Sequence, residues 1–513
     1  MIPLSLLLCL FQSLFAGPSR TTNPTNLQSF LDTISNTTDA QSNDIQVTRI
    51  PEGTYVGDNV KIIGRYLELS GEPSNQRSSP GTRIIPQSGS EINPNEERFP
   101  VHTGTNCIFS LTNSTLSLKS LHFSLAANSE EARKQRNEAH TTRLAIVSDS
   151  MLTISESRIE LSSGSSAILI LPSTFEGSTT ESSVVVKKCS ISSESGQLRG
   201  LVETAAFPDC GTSRSILIVG CSFSSQGVLG TDGIGLSLTH KARKRNDEMG
   251  RISSSLIGCS FVNMSSIGSS HLPQLSHLSQ KMLGCVVSLT SSHLSGSTIR
   301  DVNNGGSVLC SNSSFSSLLS SPNTDSDPSP SITLPNPSQY PEQFQDGIAY
   351  FFDQNSGTDS TFANFSHCHF TGDKYVTNAR PLTFKAYPGT ITITSCSFTD
   401  LTVVSTDAND RLGGAAFIDQ RSAPDCQPVT VEKTNFTNIK ASISGSGMYV
   451  VAMQSTSIED CRFEECGPGS EGTTETGGLY VSTVTAQPAI RAKPAILAYL
   501  SAHNPNFSGP IIS

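Results

Sequence analysis

One spacing recurs along most of this chain and leaves few folds open to it: Φ-x-Φ-x-x-C-x-F, where Φ is apolar and near equivalents replace Cys and Phe. It reads Leu116, Leu118, Leu121, Phe123; Leu152, Ile154, Ser157, Ile159; Val184, Val186, Cys189, Ile191; Ile216, Ile218, Cys221, Phe223; and Ser254, Leu256, Cys259, Phe261. Weaker copies fall at Ser292, Leu294, Ser297, Ile299 and at Val308, Cys310, Ser313, Phe315. The series continues with Ala363, Phe365, Cys368, Phe370; Ile391, Ile393, Cys396, Phe398; Val429, Val431, Thr434, Phe436; and Thr456, Ile458, Cys461, Phe463. One copy means nothing, but one offset held through these eleven marks a repeat architecture.

The unit can be read physically. Apolar residues at i and i+2 share one face of a strand. The next inward pair comes three positions later, and an odd step changes face unless the chain bends there. Each unit is therefore a short strand, a corner and a second short strand, both facing one interior. Another apolar strand, often behind Gly, precedes most units: Leu144 to Val147, Ala167 to Leu171, Ile234 to Leu238, Cys285 to Leu289, Ile348 to Phe352, Ala415 to Ile418, Met448 to Val451 and Leu479 to Val481. Such a unit cannot bury a face alone, but stacking units in register does so. The spacing predicts an all-β, right-handed parallel β-helix of about twelve coils, a rod on the order of 60 Å long at roughly 4.8 Å per coil. A β-sandwich would not need the same inward residues at one corner in every turn.

The segments Gly413-Gly414-Ala415-Ala416-Phe417 and Gly477-Gly478-Leu479-Tyr480, with their trailing C-x-F and N-F-T-N units, resemble the repeats of polymorphic outer-membrane proteins. They also resemble large repeat-rich secreted and surface proteins of anaerobic protists, within the pectin-lyase-like β-helix superfamily. The resemblance covers roughly residues 45–484 and implies the fold rather than an activity.

The chain divides into an apolar leader at 1–16, an N-terminal segment at 17–44, the β-helix at 45–484 and an irregular tail at 485–513. Leu4 to Leu10 has the length of a secretory apolar core, and Ala16-Gly17 suits cleavage. Asn26 to Ser35 carries Leu27, Phe30, Leu31 and Ile34 at helical spacing and predicts a short helix capping the first coil. Residues 45–69 read as that first coil. Loops are expected at 129–142, 240–251 and 322–341, the last rich in Pro, Ser and Asp. No other apolar run reaches the roughly 18 residues of a membrane span. With 34 Lys and Arg against 44 Asp and Glu, the net charge of −10 argues against nucleic acid. Candidate glycosylation sequons are Asn36, Asn113, Asn263, Asn312, Asn364, Asn435 and Asn506.

Of 13 Cys, Cys9 lies in the leader, leaving twelve. Six of these (Cys189, Cys221, Cys259, Cys368, Cys396, Cys461) share a template position with Ser, Thr and Leu. That pattern predicts a buried ladder of small side chains with mostly free thiols. Cys461 with Cys466, or Cys210 with a neighbour, are the pairs most open to a disulfide. The companion ladder is Phe123, Phe223, Phe261, Phe315, Phe370, Phe398, Phe436 and Phe463.

Other constellations read better as surface. Asn323-Thr324-Asp325 matches a polygalacturonase triplet, but the partner motifs of those enzymes, an Asp pair, Gly-His-Gly and Arg-Ile-Lys, are missing. His367-Cys368-His369 would splay around a corner, with Cys368 inward and His369 outward, too divergent for one metal ion. Asp400, Asp419, Asp460 and Glu464 read as solvated carboxylates, although a glycosidase needs two some 5–9 Å apart. The basic run Lys241 to Arg245 reads as a loop tip. The chain is thus expected to be a secreted or cell-surface scaffold for recognition and adhesion, binding glycans or surface proteins. No catalytic, metal or cofactor residue is nominated. The alternatives are a carbohydrate-active enzyme of the pectin-lyase-like fold, either lyase or glycoside hydrolase, and a structural coat or wall protein.

Overall fold

The computed structural model describes residues 25–35, 46–57, 59–71, 81–86, 105–125, 141–161, 167–171, 181–193, 201–204, 214–225, 236–237, 252–262, 286–290, 292–295, 299–302, 307–316, 346–351, 362–372, 380–385, 387, 389–403, 413–421, 426–441, 445–452, 456–468 and 478–483. The leader, the tail, and the loops expected at 129–142, 240–251 and 322–341 lie outside them, except that Thr141 and Thr142 begin a strand.

The chain winds as a parallel β-helix. Coils visit three sheets in turn. Met151–Ser155, Arg158–Leu161 and Ile168–Ile170 make up one such coil. Every strand pairs in parallel with its equivalent one coil away: Leu152 lies over Leu116 and under Val184, and Ile159 over Phe123 and under Ile191. The first sheet has 13 strands, from Gln46–Ile50 to Thr456–Glu459. The second has 15, from Thr25–Asn26 through Arg462–Glu464, with Gly467–Pro468 at its side. The third runs in two six-stranded pieces, Val60–Ile63 to Leu236–Ser237 and Ile299–Val302 to Leu479–Thr483.

The corner between the first two sheets solves the three-residue step. Its leading residue takes a left-handed conformation in coil after coil, with φ of 53° at Ser120, 51° at Glu156 and Lys188, 61° at Gly220, 53° at His367 and Ser395, and 49° at Lys433. That one inverted residue turns the chain without changing which face looks inward. The odd step was legible in the sequence; a left-handed Lys, Glu or His was not, because these side chains ordinarily avoid that region. Backbone bonds between coils hold the turn: Glu156 N–H donates to Lys187 O at 2.9 Å, Lys188 N–H to Val219 O at 2.8 Å and Ser395 N–H to Glu432 O at 2.9 Å.

The next residue is the Cys, Ser or Thr of the template, and more than size selects it. Its side chain reaches its own i−2 carbonyl: Ser157 Oγ to Ser155 O at 2.7 Å, Cys189 Sγ to Lys187 O at 3.2 Å, Thr434 Oγ1 to Glu432 O at 2.8 Å. It also accepts the corner N–H of the coil below, as Ser157 Oγ does from Leu121, Cys221 Sγ from Cys189 and Thr434 Oγ1 from Cys396. A small side chain that both donates and accepts meets both needs at this post, although the apolar Leu121 also stands there, buried. Burial pushes the Cys259 and Cys461 thiols up to about 11, so they remain protonated donors. No disulfide joins any of the ten described cysteines, Cys461 and Cys466 included, which corrects the pairing expected to be most open for those two. Cys466 Sγ instead contacts the carbonyls of Phe436 and Glu464.

The interior is filled by the apolar template positions. Phe315, Phe370, Phe398, Phe436 and Phe463 form one stack, with successive centroids 4.7, 4.7, 5.0 and 4.5 Å apart and planes within 13°. Phe123 and Phe223 occupy the same column below, and Phe261 pairs there by its backbone. At the N-terminal end the helix Leu27–Ser35 covers the first coil. Asn26 Oδ1 accepts the Ser29 N–H at 3.0 Å as its cap, Leu27 is fully buried, and Phe30 meets Tyr55 edge-on at 5.6 Å.

Two frame readings change. The copy placed at Ser292, Leu294, Ser297, Ile299 is out of frame: Cys259 N–H donates to Ser292 Oγ at 3.2 Å, and Phe261 pairs with Leu294. That coil is Val287, Leu289, Ser292, Leu294, so Val286–Thr290 is its first-sheet strand rather than a strand preceding the unit, and Ile299–Val302 is its third-sheet strand. Polar Ser at the corner and Leu in the Phe column blurred the frame in a Ser-rich stretch. Residues 45–69 also run past one coil, because Tyr66–Gly71 lies over Gln46–Ile50 and opens the second. There Thr82 takes the corner post, donating to Ile50 O at 3.1 Å.

Phe398→Ala, in the middle of the stack, is expected to cost about 3–5 kcal/mol, read from the urea midpoint. Cys221→Ser should stay within about 1 kcal/mol of the parent. Cys221→Val, of similar volume, strands the Cys189 N–H and should cost about 1–3 kcal/mol in the same assay.

Candidate functional site

The residues flanking the Phe column on the second sheet face outward and form two parallel rows. In register, one row runs His122, Arg158, Ser190, Ser222, Ser260 and, farther on, His369, Ser397, Asn435, Arg462. The other runs Ser124, Glu160, Ser192, Ser224 and, farther on, Thr371, Thr399, Thr437, Glu464. Between the charged pairs Ser and Thr recur at the coil spacing, with Val262, His293, His369 and Asn435 at the remaining register positions. Neighbours on it bond to each other, as with His369 Nδ1 to Ser397 Oγ at 2.7 Å and Thr399 Oγ1 to Thr371 Oγ1 at 3.4 Å. At each end stands an Arg-x-Glu pair on one strand, Arg158 with Glu160 (2.8 Å) and Arg462 with Glu464.

The N-terminal end is the more elaborate. Glu160 Oε1 lies 3.1 Å from His122 Nε2 and receives a hydrogen bond from Ser124, whose Oγ accepts Arg83 Nη2 at 2.9 Å. Three coils thus supply Arg83, His122, Ser124, Arg158 and Glu160 to one patch. Burial is the largest influence on both titrating groups. It depresses the His122 pKa below its ordinary 6.5, outweighing the pull of Glu160. For Glu160 burial acts upward, but the Ser124 bond and the His122 and Arg158 charges outweigh it, so its pKa falls below 4.5. At neutral pH the patch holds an ionised carboxylate, two guanidiniums and a neutral imidazole. No single-template reading nominated these residues. Lining up the x positions of successive units, H-F-S over R-I-E, was the signal that could have found them.

Other outward groups are placed as follows. Cys368 is buried, while His367 and His369 are exposed on either side of the corner. Among the described residues no three His, Cys, Asp or Glu converge to hold a metal ion. Glu432 and Glu459 are register partners on the first sheet, Ser457 donating to Glu459 Oε1 at 3.1 Å. Asp400 takes the Asn438 amide at 2.7 Å. On the third sheet Phe417, Tyr449 and Tyr480 stack outward at 5.5 and 4.5 Å, and the Arg380 guanidinium lies 5.0 Å from the Phe417 centroid. Beside them Asp419 binds Arg421 through both oxygens, at 2.5 and 3.0 Å. Of the sequons, Asn113, Asn312, Asn364 and Asn435 are exposed, and Asn36, Asn263 and Asn506 lie outside the described residues, as do Asn323 to Asp325, Lys241 to Arg245 and Cys210. No described helix is long and apolar enough to cross a membrane.

No family model and no curated protein matches this chain. Among solved structures it is similar to the crystal structure of PfbA, a surface adhesin of Streptococcus pneumoniae. Identity is 10%, coverage 91% of this chain and 89% of that chain, and the TM-score 0.36. A second structure of that pneumococcal surface protein and adhesin gives 11% identity, coverage of 86% and 91%, and a TM-score of 0.35. At such values the likeness stands beside the fold without bearing on what this chain binds.

The depressed pKa values make the Glu160 patch acid-labile. His122 binds a proton more weakly folded than unfolded, so its contribution to stability is lost as pH falls through 6.5 toward the folded value. The contribution of Glu160 is present above 4.5 and lost as pH falls below it. Urea midpoints measured between about pH 7 and pH 5 should decline in the parent and decline less in His122→Gln.

Proposed function

We propose that this chain is a secreted or cell-surface recognition scaffold that binds extended glycans along the outward face of its second sheet. The observation that carries this reading is the pair of hydroxyl rows between Arg158-x-Glu160 and Arg462-x-Glu464. Sugar rings of an extended chain succeed one another at nearly the coil spacing, so successive coils can each offer a ring a hydroxyl, and those of Ser190–Ser192, Ser222–Ser224 and Ser397–Thr399 a pair. Hydroxyl-rich surface without a wide apolar area suits a ligand that is itself all hydroxyls. The Arg83–Glu160 patch supplies charged hydrogen bonds, the strong kind, to fix one end. The rigid stacked frame holds these groups in place before the ligand arrives, which lowers the ordering cost of binding.

A carbohydrate-active enzyme remains the second reading, favoured by one observation: Glu432 and Glu459 are carboxylates on adjacent coils. They stand with Thr394, Thr430 and Ser457 rather than beside the aromatic stack. Glu160 is held ionised and paired with Arg158, which fits anchoring better than proton donation.

Purified full-length protein on an array of plant, bacterial and host glycans, assayed for bound protein and released reducing ends, separates these readings. Binding without release is expected, with Arg158→Ala weakening it about tenfold or more and Ser224→Leu blocking the track. Released sugars abolished by Glu432→Gln would establish the enzyme instead. Silence in both assays with concentration-dependent self-association would establish a coat protein.

A further inference from the structure

We infer that Asn113 carries an N-linked glycan whose inner sugars cover an apolar patch made by Ile63, Tyr66 and Met151. The inference goes beyond glycan recognition and rests on the expectation that the chain is exported.

Large hydrophobic side chains are exposed at five described positions: Val47, Ile63, Tyr66, Met151 and Ile257. Three of them surround one sequon. Ile63 is the register partner of Thr112, and Thr115 lies between Tyr66 on one coil and Met151 on the next. Ile63 and Tyr66 are 63% and 57% exposed, the most open apolar surface on the described body besides Val47. The other described sequons lack such neighbours. Asn364 pairs with Leu309 and Thr392, Asn435 pairs with Ser397 and Arg462, and Ile257 stands two coils from Asn312.

The turn presents Asn113 to a transferase and to the patch together. Its φ is 49°, stacked between Gly64 at 62° and Asp149 at 48°, so the third-to-first corner repeats the left-handed device of the first. Asn113 N–H donates to Ser148 O at 3.2 Å, and Gly64 N–H to Thr112 O at 3.2 Å. The Ser114 hydroxyl is committed to Ile62 O and Thr112 O at 2.9 and 2.8 Å, which fixes the turn. Below Asn113 a Cβ on Gly64 would meet nothing within 4 Å, so room is left beside Tyr66. The apolar C–H face of a hexosamine fits an aromatic ring and an aliphatic chain, and covering them removes apolar surface from water. In the joining step Asn113 Nδ2 bonds to the anomeric carbon of a lipid-diphosphate-linked oligosaccharide. The bond from that carbon to the diphosphate oxygen breaks, the lipid diphosphate leaves with the electron pair, and an amide proton passes to a base of the transferase.

The test uses the full chain expressed from its own start through a eukaryotic secretory pathway. Peptide mass mapping should find Asn113 occupied. Removal of the glycan by an amidase, which leaves Asp at 113, should lower Tm by about 2 °C and bring it to that of an Asn113→Asp variant. In Tyr66→Ser with Ile63→Ser, both exposed, the same treatment should leave Tm unchanged. An unoccupied Asn113 on exported protein overturns the inference, as does a Tm loss of equal size in the double variant. A chain that is not exported overturns the inference, and glycan binding measured on unglycosylated protein shows separately whether the recognition reading stands.

Discussion

In-register parallel pairing between coils sets everything else in this molecule. Because every strand lies on its own equivalent, each side chain stands above the same template position of its neighbour. The column is the unit of design, and a residue must suit the residues above and below it. That is why Phe stacks on Phe with nearly parallel planes, and why the corner post accepts a hydrogen bond from the coil beneath while donating to its own. The condition that permits it is the inverted residue at each corner, which lets an odd number of residues pass without reversing the inward face.

The same rule generates the surface. Inward columns must be apolar or satisfy their own hydrogen bonds, but outward columns are free to carry a repeated chemistry. On the second sheet this gives two rows of hydroxyls with charged pairs at their ends, and on the third a short outward stack from Arg380 to Tyr480. Repetition makes weak individual groups count, since one Ser is an unremarkable surface residue while a row at fixed spacing is a lattice. The Glu160 patch differs in kind. It draws on Arg83, His122, Ser124 and Arg158 from three coils; burial sets the direction of the His122 titration, and hydrogen bonding with neighbouring charge sets that of Glu160.

The fold was largely legible because its signal is repetition. Cys189, Cys221 and Cys396 share a position with Ser157 and Thr434, and that alternation predicted a buried small residue. It did not disclose the hydrogen-bonding role that makes Cys, Ser and Thr interchangeable and Ala absent. Frame was lost at Ser292, where Ser and Leu stand at the template's Cys and Phe positions, and at residues 45–69, where the corner post of the second coil is Thr82, far along the sequence from Leu69. The outward patch stayed hidden for a different reason. His122 and Glu160 are distant in sequence, and only the register of Phe123 with Ile159 brings them together.

Since a coil touches little beyond the coil above and the coil below, the body has no fixed number of turns built into its physics. Thirteen strands in the first sheet is a tally, not a requirement of closure as it would be in a barrel. A gene that duplicated or dropped one turn would leave every remaining contact as it was and move the charged pairs at Arg158 and Arg462 apart or together by one step. Length in such a molecule is an adjustable gauge, set by recombination rather than by folding, and the span of ligand it can measure changes with it.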